Sequence, residues 1–193
     1  MTDTEIIEKL KQGDEQAFRQ LVENHQKMVV NTCFGMVQNR EDAEDIAQDV
    51  FIEVFRSIYK FRADSKLSTW LYRIAINRSL NHIRDNKKSK WFRSFEDEVQ
   101  GKNNELQWLE SSKADNPGFE LENKQRAVLL HEAINSLPEN QKAAFTLSKY
   151  EELSYQEISE VMELSVSSVE SLLFRAKKNL QKKLYKCYKK KCI

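Results

Sequence analysis

Turn-forming residues are nearly missing from this chain. Its 193 residues hold 4 glycines and 2 prolines, where average usage would supply roughly 14 and 10. Hairpins and tight βα turns consume those residues. A β-rich fold is therefore disfavoured, and long helices separated by few turns are expected. With 40% hydrophobic and 32% charged residues, such helices can bury a core and keep a wetted surface. The expected fold class is all-α: two small helical bundles joined by a flexible acidic linker, the second containing a helix-turn-helix.

Apolar spacing places the helices. Asp14 follows Gly13 and can cap a helix over 14–37, in which Ala17, Phe18, Leu21, Val22, His25, Met28 and Val29 recur at helical intervals. After a break at Gln38-Asn39-Arg40, a helix over 42–59 carries the stripe Ile46, Ala47, Val50, Phe51, Val54, Phe55 and Ile58. A loop spans Lys60 to Leu67. Ser68 or Thr69 then caps a third helix running to about Asn86. Residues 87–120 lose periodicity and hold Asn116-Pro117-Gly118, so they read as a linker, with a short helix expected near Leu106–Leu109. Domain boundaries follow at 1–90, 91–120 and 121–193.

In the second bundle, Pro138 opens a helix, where its missing N–H costs nothing. Ser154-Tyr155-Gln156-Glu157 is a capping box. Glu163-Leu164-Ser165 makes a three-residue turn, and Ser165 caps a last helix from Val166 to about Tyr188. A short capped helix, a brief turn and a longer basic helix are the parts of a DNA-reading helix-turn-helix. Ile158, Val161, Met162, Leu164, Val166, Val169 and Leu173 can pack the pair together. Ser167, Ser168, Glu170, Ser171, Phe174, Arg175 and Lys178 are left facing out. An ordinary helical hairpin is the plainer alternative.

The formal charge is only +1, but it is laid out in blocks. Six carboxylates and no base lie between Glu41 and Glu53, and the net charge is +8 over Arg56–Lys90 and −6 over Glu96–Glu122. Arg175–Lys191 holds nine bases and no acid. Two basic blocks parted by an acidic one suggest two polyanion-binding surfaces with a spacer, against the plainer reading of solvated helix faces. Phosphate contacts release counterions, so the acid-free last helix favours DNA.

The first bundle presents two kinds of chemistry. On the 42–59 helix, Asp45, Gln48, Asp49, Ile52, Glu53 and Arg56 lie outside the stripe. An exposed Ile52 among carboxylates suits protein docking. Catalysis by those acids would need an accompanying nucleophile, His or metal ligand, and none is at hand. On the next helix, Trp70, Arg73, Asn77, Asn81 and Arg84 form a strip of ring, amide and guanidinium, preceded by Tyr59, Phe61 and Arg62. Rings interleaved with cations are what unstacked single-stranded bases require; Trp70 and Tyr72 as ordinary core residues are the alternative.

Asp42-Ala43-Glu44-Asp45-Ile46-Ala47-Gln48-Asp49-Val50-Phe51, then Phe61-Arg62, then Ser68-Thr69-Trp70-Leu71-Tyr72-Arg73-Ile74-Ala75-Ile76-Asn77 resembles conserved region 2 of a bacterial sigma factor. Leu137-Pro138 through Phe174-Arg175-Ala176 resembles region 4, with no region 3 domain between them. The chain is similar to the extracytoplasmic-function (ECF) sigma factors, the small two-domain group of the sigma-70 family. The resemblance implies a transcription initiation factor whose partners are core RNA polymerase, through the β′ clamp helices and the β flap, and promoter DNA. Many members are also held by an anti-sigma factor. It implies polymerase docking by Asp45, Gln48, Asp49, Ile52 and Glu53. It implies −10 recognition in melted DNA, with a flipped base held by the loop, through Lys60, Phe61, Arg62, Asp64, Ser65, Lys66, Trp70, Arg73 and Asn77. It implies −35 recognition by Ser165, Ser167, Ser168, Glu170, Ser171, Phe174, Arg175 and Lys178. The acidic linker would follow the polymerase's basic RNA-exit channel. Glu170 and Leu172 depart from the pattern, which often has Lys or Arg at the first and commonly Arg at the second. Glu170 can accept a hydrogen bond from the exocyclic amine of cytosine, and Leu172 either meets a thymine methyl or packs inward.

No catalytic residue, cofactor or metal is expected. Cys187 and Cys192 form a pair with no further ligands nearby, which is a weak metal signal, and three cysteines do not suggest a disulfide framework. The acidic N-terminus has no apolar signal segment, and no run of about 18 apolar residues occurs, so a cytoplasmic protein without membrane insertion is expected. The alternatives are a stand-alone helix-turn-helix regulator, a metal-dependent helical hydrolase using the Asp42–Glu53 acids, and an inert helical adaptor.

Overall fold

The computed structural model describes residues 2–61, 64–93 and 117–191, without the side chains of 88–93, 117–125, 187–188 and 190–191. The described residues form eight α-helices: α1 (Asp3–Lys11), α2 (Glu15–Val37), α3 (Arg40–Ser57), α4 (Leu67–Arg93), α5 (Pro117–Asn135), α6 (Glu139–Lys149), α7 (Tyr155–Met162) and α8 (Val166–Lys191). A 3-10 turn, Ile58–Lys60, follows α3. No strand occurs among the described residues.

Caps set the boundaries where the sequence placed them. The Asp14 carboxylate accepts from the backbone N–H groups of Gln16 (2.8 Å) and Ala17 (3.2 Å), satisfying donors that the first turn leaves unpaired. The Ser154 hydroxyl accepts from Glu157 N–H, and the Glu157 carboxylate accepts from Ser154 N–H at 3.0 Å, closing the capping box. That N–H holds the Glu157 carboxyl below the usual carboxylate range. Two helices end without glycine: Gln38 and Glu163 adopt left-handed backbone, φ 57° and 56°.

Several expectations shift. α1 was not anticipated, although Thr2 and Glu5 form a capping box of their own. α3 begins at Arg40 rather than Asp42, and α4 begins at Leu67, one residue before the proposed cap. α4 and α5 run into both ends of the expected linker. The rest of that linker, including the short helix expected near Leu106–Leu109, lies outside the described residues.

The first bundle packs α1–α4 around Ile6, Leu21, Val29, Val50, Val54 and Leu71, all buried. α5, α6 and α8 close a small cluster on Ala133, Ile134, Leu137, Ala176 and Leu180. The remaining cluster joins the bundles. Met36 of α2 and Tyr72 and Ile76 of α4 pack with Ala143, Ala144 and Leu147 of α6, Ile158 and Val161 of α7, and Val169 of α8. α2 carries its glycine where it crosses α6. A Cβ built on Gly35 would collide with Thr146 Cγ2 and stand 3.2 Å from its hydroxyl and 3.3 Å from its Cβ. Only a residue without a side chain allows this approach.

Candidate nucleic-acid interface

Three faces carry the residues singled out from the sequence. The first is on α3. Its buried side, Ala43, Ile46, Ala47, Val50 and Val54, fixes the rotation of the helix against the bundle. Asp45, Gln48 and Asp49 therefore face solvent, and Ile52 is 46% exposed. Glu53 is half-buried and paired with Arg78 of α4. Phe55, placed in the buried stripe by spacing, is 47% exposed, its ring edge-on to Phe18 at 5.2 Å. Tyr59 extends the apolar edge at 65% exposure. The result is a carboxylate-flanked apolar ridge.

The second face runs from the loop into α4. Lys60, Asp64 and Lys66 are exposed, Ser65 is half-buried, and Arg62 lies outside the described residues. Phe61 corrects the expectation of an available ring. It is buried, packed on Trp70 at 5.1 Å between centroids, because the apolar turn Ile58–Phe61 closes the end of the core. Trp70 is half-buried against the same core. Its position combines the two alternatives: part of the indole packs, and the rest is at the surface.

Arg73 and Asn77 are on α4 where the second bundle arrives. Arg73 donates from Nη2 (2.6 Å) and Nε (3.3 Å) to the Glu160 carbonyl and pairs with Glu163 at 3.1 Å. Lys66 lies 3.8 Å from Glu157, and Arg84 donates to Glu139 at 2.7 Å. Asn77 is exposed at the mouth of a cleft of about 200 Å³ between α4, α6 and α7. Deeper in the seam, the Tyr72 hydroxyl donates to Glu151 at 3.0 Å, and Gln38 donates to the Tyr150 hydroxyl at 3.1 Å. Burial pushes the Glu151 carboxyl up to about 7. Its second oxygen is buried without a hydrogen-bond partner. Of the seam residues outside α4, Lys66 was singled out for DNA, and Gln38, Glu157 and Glu163 only as break, cap and turn residues; Glu139, Tyr150, Glu151 and Glu160 were not singled out.

The third face is α8. Val169 and Ala176 are buried and fix its rotation. Ser167, Glu170, Ser171, Arg175 and Lys178 are exposed, Ser168 is half-buried, and Phe174 is 69% exposed. The Ser165 hydroxyl accepts from Ser168 N–H at 3.2 Å, the expected cap, and also contacts the hydroxyls of Ser167 (3.1 Å) and Ser168 (2.8 Å). Leu164 and Val166, counted as packing residues, stay at the surface at 38% and 37%; they flank the tight turn, away from the seam. Leu172 packs inward against the shared cluster, which decides between its two readings. Lys177, Lys178, Lys182 and Lys183 are exposed along the helix. The side chain of Cys187 and all of Cys192 lie outside the described residues.

No helix of the described residues is long and apolar enough to cross a membrane.

Residues 21–89 match sigma-70 region 2, and residues 127–180 match sigma-70, region 4. The RNA polymerase sigma-H factor of Pseudomonas aeruginosa is 33% identical over 189 residues, covering 94% of this chain and 93% of its own length. The ECF RNA polymerase sigma-E factor of Escherichia coli is 32% identical over 196 residues, covering 95% of each. Among solved structures, CnrH in complex with the cytosolic domain of CnrY aligns with a TM-score of 0.65 at 21% identity, over 94% of this chain and 96% of CnrH. The sigma factor RpoE of Bartonella quintana, in complex with the anti-sigma factor NepR, aligns with a TM-score of 0.61 at 18% identity, over 87% and 96%. At such identities the two structures speak for the fold.

Proposed function

The chain belongs to the extracytoplasmic-function group of the sigma-70 family and is a promoter-specific transcription initiation factor; from that premise we propose how its faces divide the work. Sigma factors are not enzymes, so no bond change is assigned to any side chain. The α3 ridge, with Asp45, Gln48, Asp49 and Ile52 at its surface and Glu53 held by Arg78 at its edge, docks on core RNA polymerase. The loop and α4, from Lys60 to Asn77, hold the melted −10 strand. The exposed face of α8, from Ser165 to Lys178, reads the −35 duplex in the major groove.

The observation that carries this reading is the α3 ridge. Three exposed polar or acidic residues surround an Ile52 that is nearly half exposed. A helix face kept only for solubility gains nothing from an apolar tip, whereas a docking face gains contact area at its centre and charge complementarity at its rim. The −10 role has a physical reason. A base in a duplex cannot be read on its Watson–Crick edge until it leaves the stack, which costs a few kcal/mol. A site that holds the extruded base offsets that cost, so recognition is coupled to melting. Protein inhibitors of the anti-sigma class are a further expected partner, as NepR is for RpoE.

The test is charge reversal of Asp45 together with Asp49 in a purified system of core polymerase and promoter DNA. Initiation is expected to fall in proportion to lost polymerase binding. Unchanged initiation overturns the docking assignment. A stand-alone regulator would bind duplex DNA equally well with and without polymerase, which the same system measures.

A further inference from the structure

The cations of α8 continue past the part of the helix proposed to read bases. Ser168, Ser171 and Arg175 are spaced by three and four residues, which keeps them on one side of the helix. The same alternation carries on through Lys178, Lys182, Lys186 and Lys189. Arg175 and those four lysines are all exposed. The core fixes the orientation of this line. Val169, Ala176 and Leu180 are buried, and Leu184 packs against the cluster shared with α5. The cations therefore lie on the opposite side of α8 from its apolar stripe.

Among the described residues, none of these four lysines is paired with a carboxylate, and the sequence has no acid between Arg175 and Lys191. Lys189 lies over the exposed Tyr185 ring, 5.9 Å from its centroid, which positions the cation without cancelling its charge. Solubility does not account for the pattern. Like charges three and four residues apart repel and weaken a helix. The helix dipole favours cations only in the last turn, which leaves Lys178 and Lys182 unexplained. A bound polyanion removes the repulsion along the whole line.

We propose that Lys182, Lys186 and Lys189 form a second, sequence-independent DNA site: a rail for the phosphate backbone of the duplex flanking the −35 element. The proposal rests on the reading that the first turns of α8 enter the major groove there. At 1.5 Å per residue, Arg175 to Lys189 spans about 21 Å, whereas the groove is about 12 Å wide. With base edges met at the start of the helix, the far end of the line lies beyond the groove, over the phosphates that border it. Lysine suits this task, being a point charge on a flexible stem that holds phosphate without reading a base. The rail also supplies what the reading face lacks. Ser167, Ser168 and Ser171 are neutral, and Glu170 carries the wrong sign for phosphate. Base selection is concentrated at the start of α8 and affinity toward its far end.

The test compares the full chain with a variant carrying Lys182→Gln, Lys186→Gln and Lys189→Gln together. Duplexes enriched from a randomised pool by the wild-type chain are used with both flanks and again trimmed to the selected bases. Binding is followed by fluorescence anisotropy between about 50 and 200 mM salt. On the flanked duplex, the slope of log affinity against log salt is expected to become shallower by about 2–3 in the glutamine variant. Its affinity falls at least about tenfold at about 0.1 M salt, and the order of base preference stays the same. On the trimmed duplex the two proteins differ by less than about twofold. Arginine at the same three positions keeps the wild-type slope, since charge is what the rail requires. An unchanged slope overturns the proposal, as does equal loss on flanked and trimmed duplexes or a base preference that shifts with the lysines. Vesicles of phosphatidylglycerol are the competing polyanion, and lysine-dependent binding to them that exceeds binding to the flanked duplex overturns it too. A pool from which no sequence is enriched instead overturns the −35 reading, while the slope on a long mixed-sequence duplex still decides whether the rail exists.

Discussion

Glu151 sets a pH dependence that can be worked from its surroundings. The carboxyl is in the seam, with the Tyr72 hydroxyl of α4 on one oxygen and no partner on the other. Thr32 and Cys33 of α2 also border it, and neither brings a positive charge. Burial pushes Glu151 up to about 7 from the usual 4.5. At about 1.4 kcal/mol per pH unit, that difference corresponds to at most roughly 3.5 kcal/mol. Partial solvent access reduces the expected value to about 1–2 kcal/mol. The sign follows from proton counting. Between 4.5 and about 7 the packed form keeps a proton that the unfolded chain has released, so stability falls as pH rises through that window and stays low above it. Glu151→Gln removes the ionisation and keeps an oxygen for Tyr72. In urea unfolding at about pH 8, the variant is expected to be more stable than wild type by about 1–2 kcal/mol, with the gain vanishing near about pH 4.5. An equal effect at both pH values would refute the reasoning, because a contact that does not titrate has no such window.

The other predictions concern the individual elements. Ile158 is fully buried in the cluster between the bundles, so Ile158→Ala is expected to cost about 2–4 kcal/mol in chemical unfolding. Ser154→Ala removes half of a capping box and is expected to cost about 1 kcal/mol in the same measurement. Glu170→Ala is expected to alter preference at one or two −35 positions, scored on a panel of promoter duplexes, with polymerase affinity unchanged; uniform loss across the panel would count against a base-reading role.

What could be read in advance followed the range of the forces involved. The caps at Asp14, Ser154 and Ser165 act within three residues, and all three were legible. So was the α3 rotation, because one stripe of apolar residues has one place to go. The seam was not legible. Tyr72 and Ile76 lie on a helix that already carries a core-facing stripe, so their burial depends on a second bundle more than sixty residues away in sequence. Gly35 is the one local sign of that contact: a glycine inside an otherwise regular helix implies a close neighbour, but not which one. Phe61 was misplaced for the opposite reason. Its loop position suggested exposure, whereas a single 3-10 turn folds it back into the core. α1 escaped notice because nine residues give too short a record of periodicity, despite the Thr2–Glu5 box.

The outward placement of the α3 ridge has a consequence for access. Its carboxylates and Ile52 stay at the surface while the bundles are packed together. On the docking role proposed for that ridge, engaging a partner there requires no parting of the seam between α4, α6 and α7.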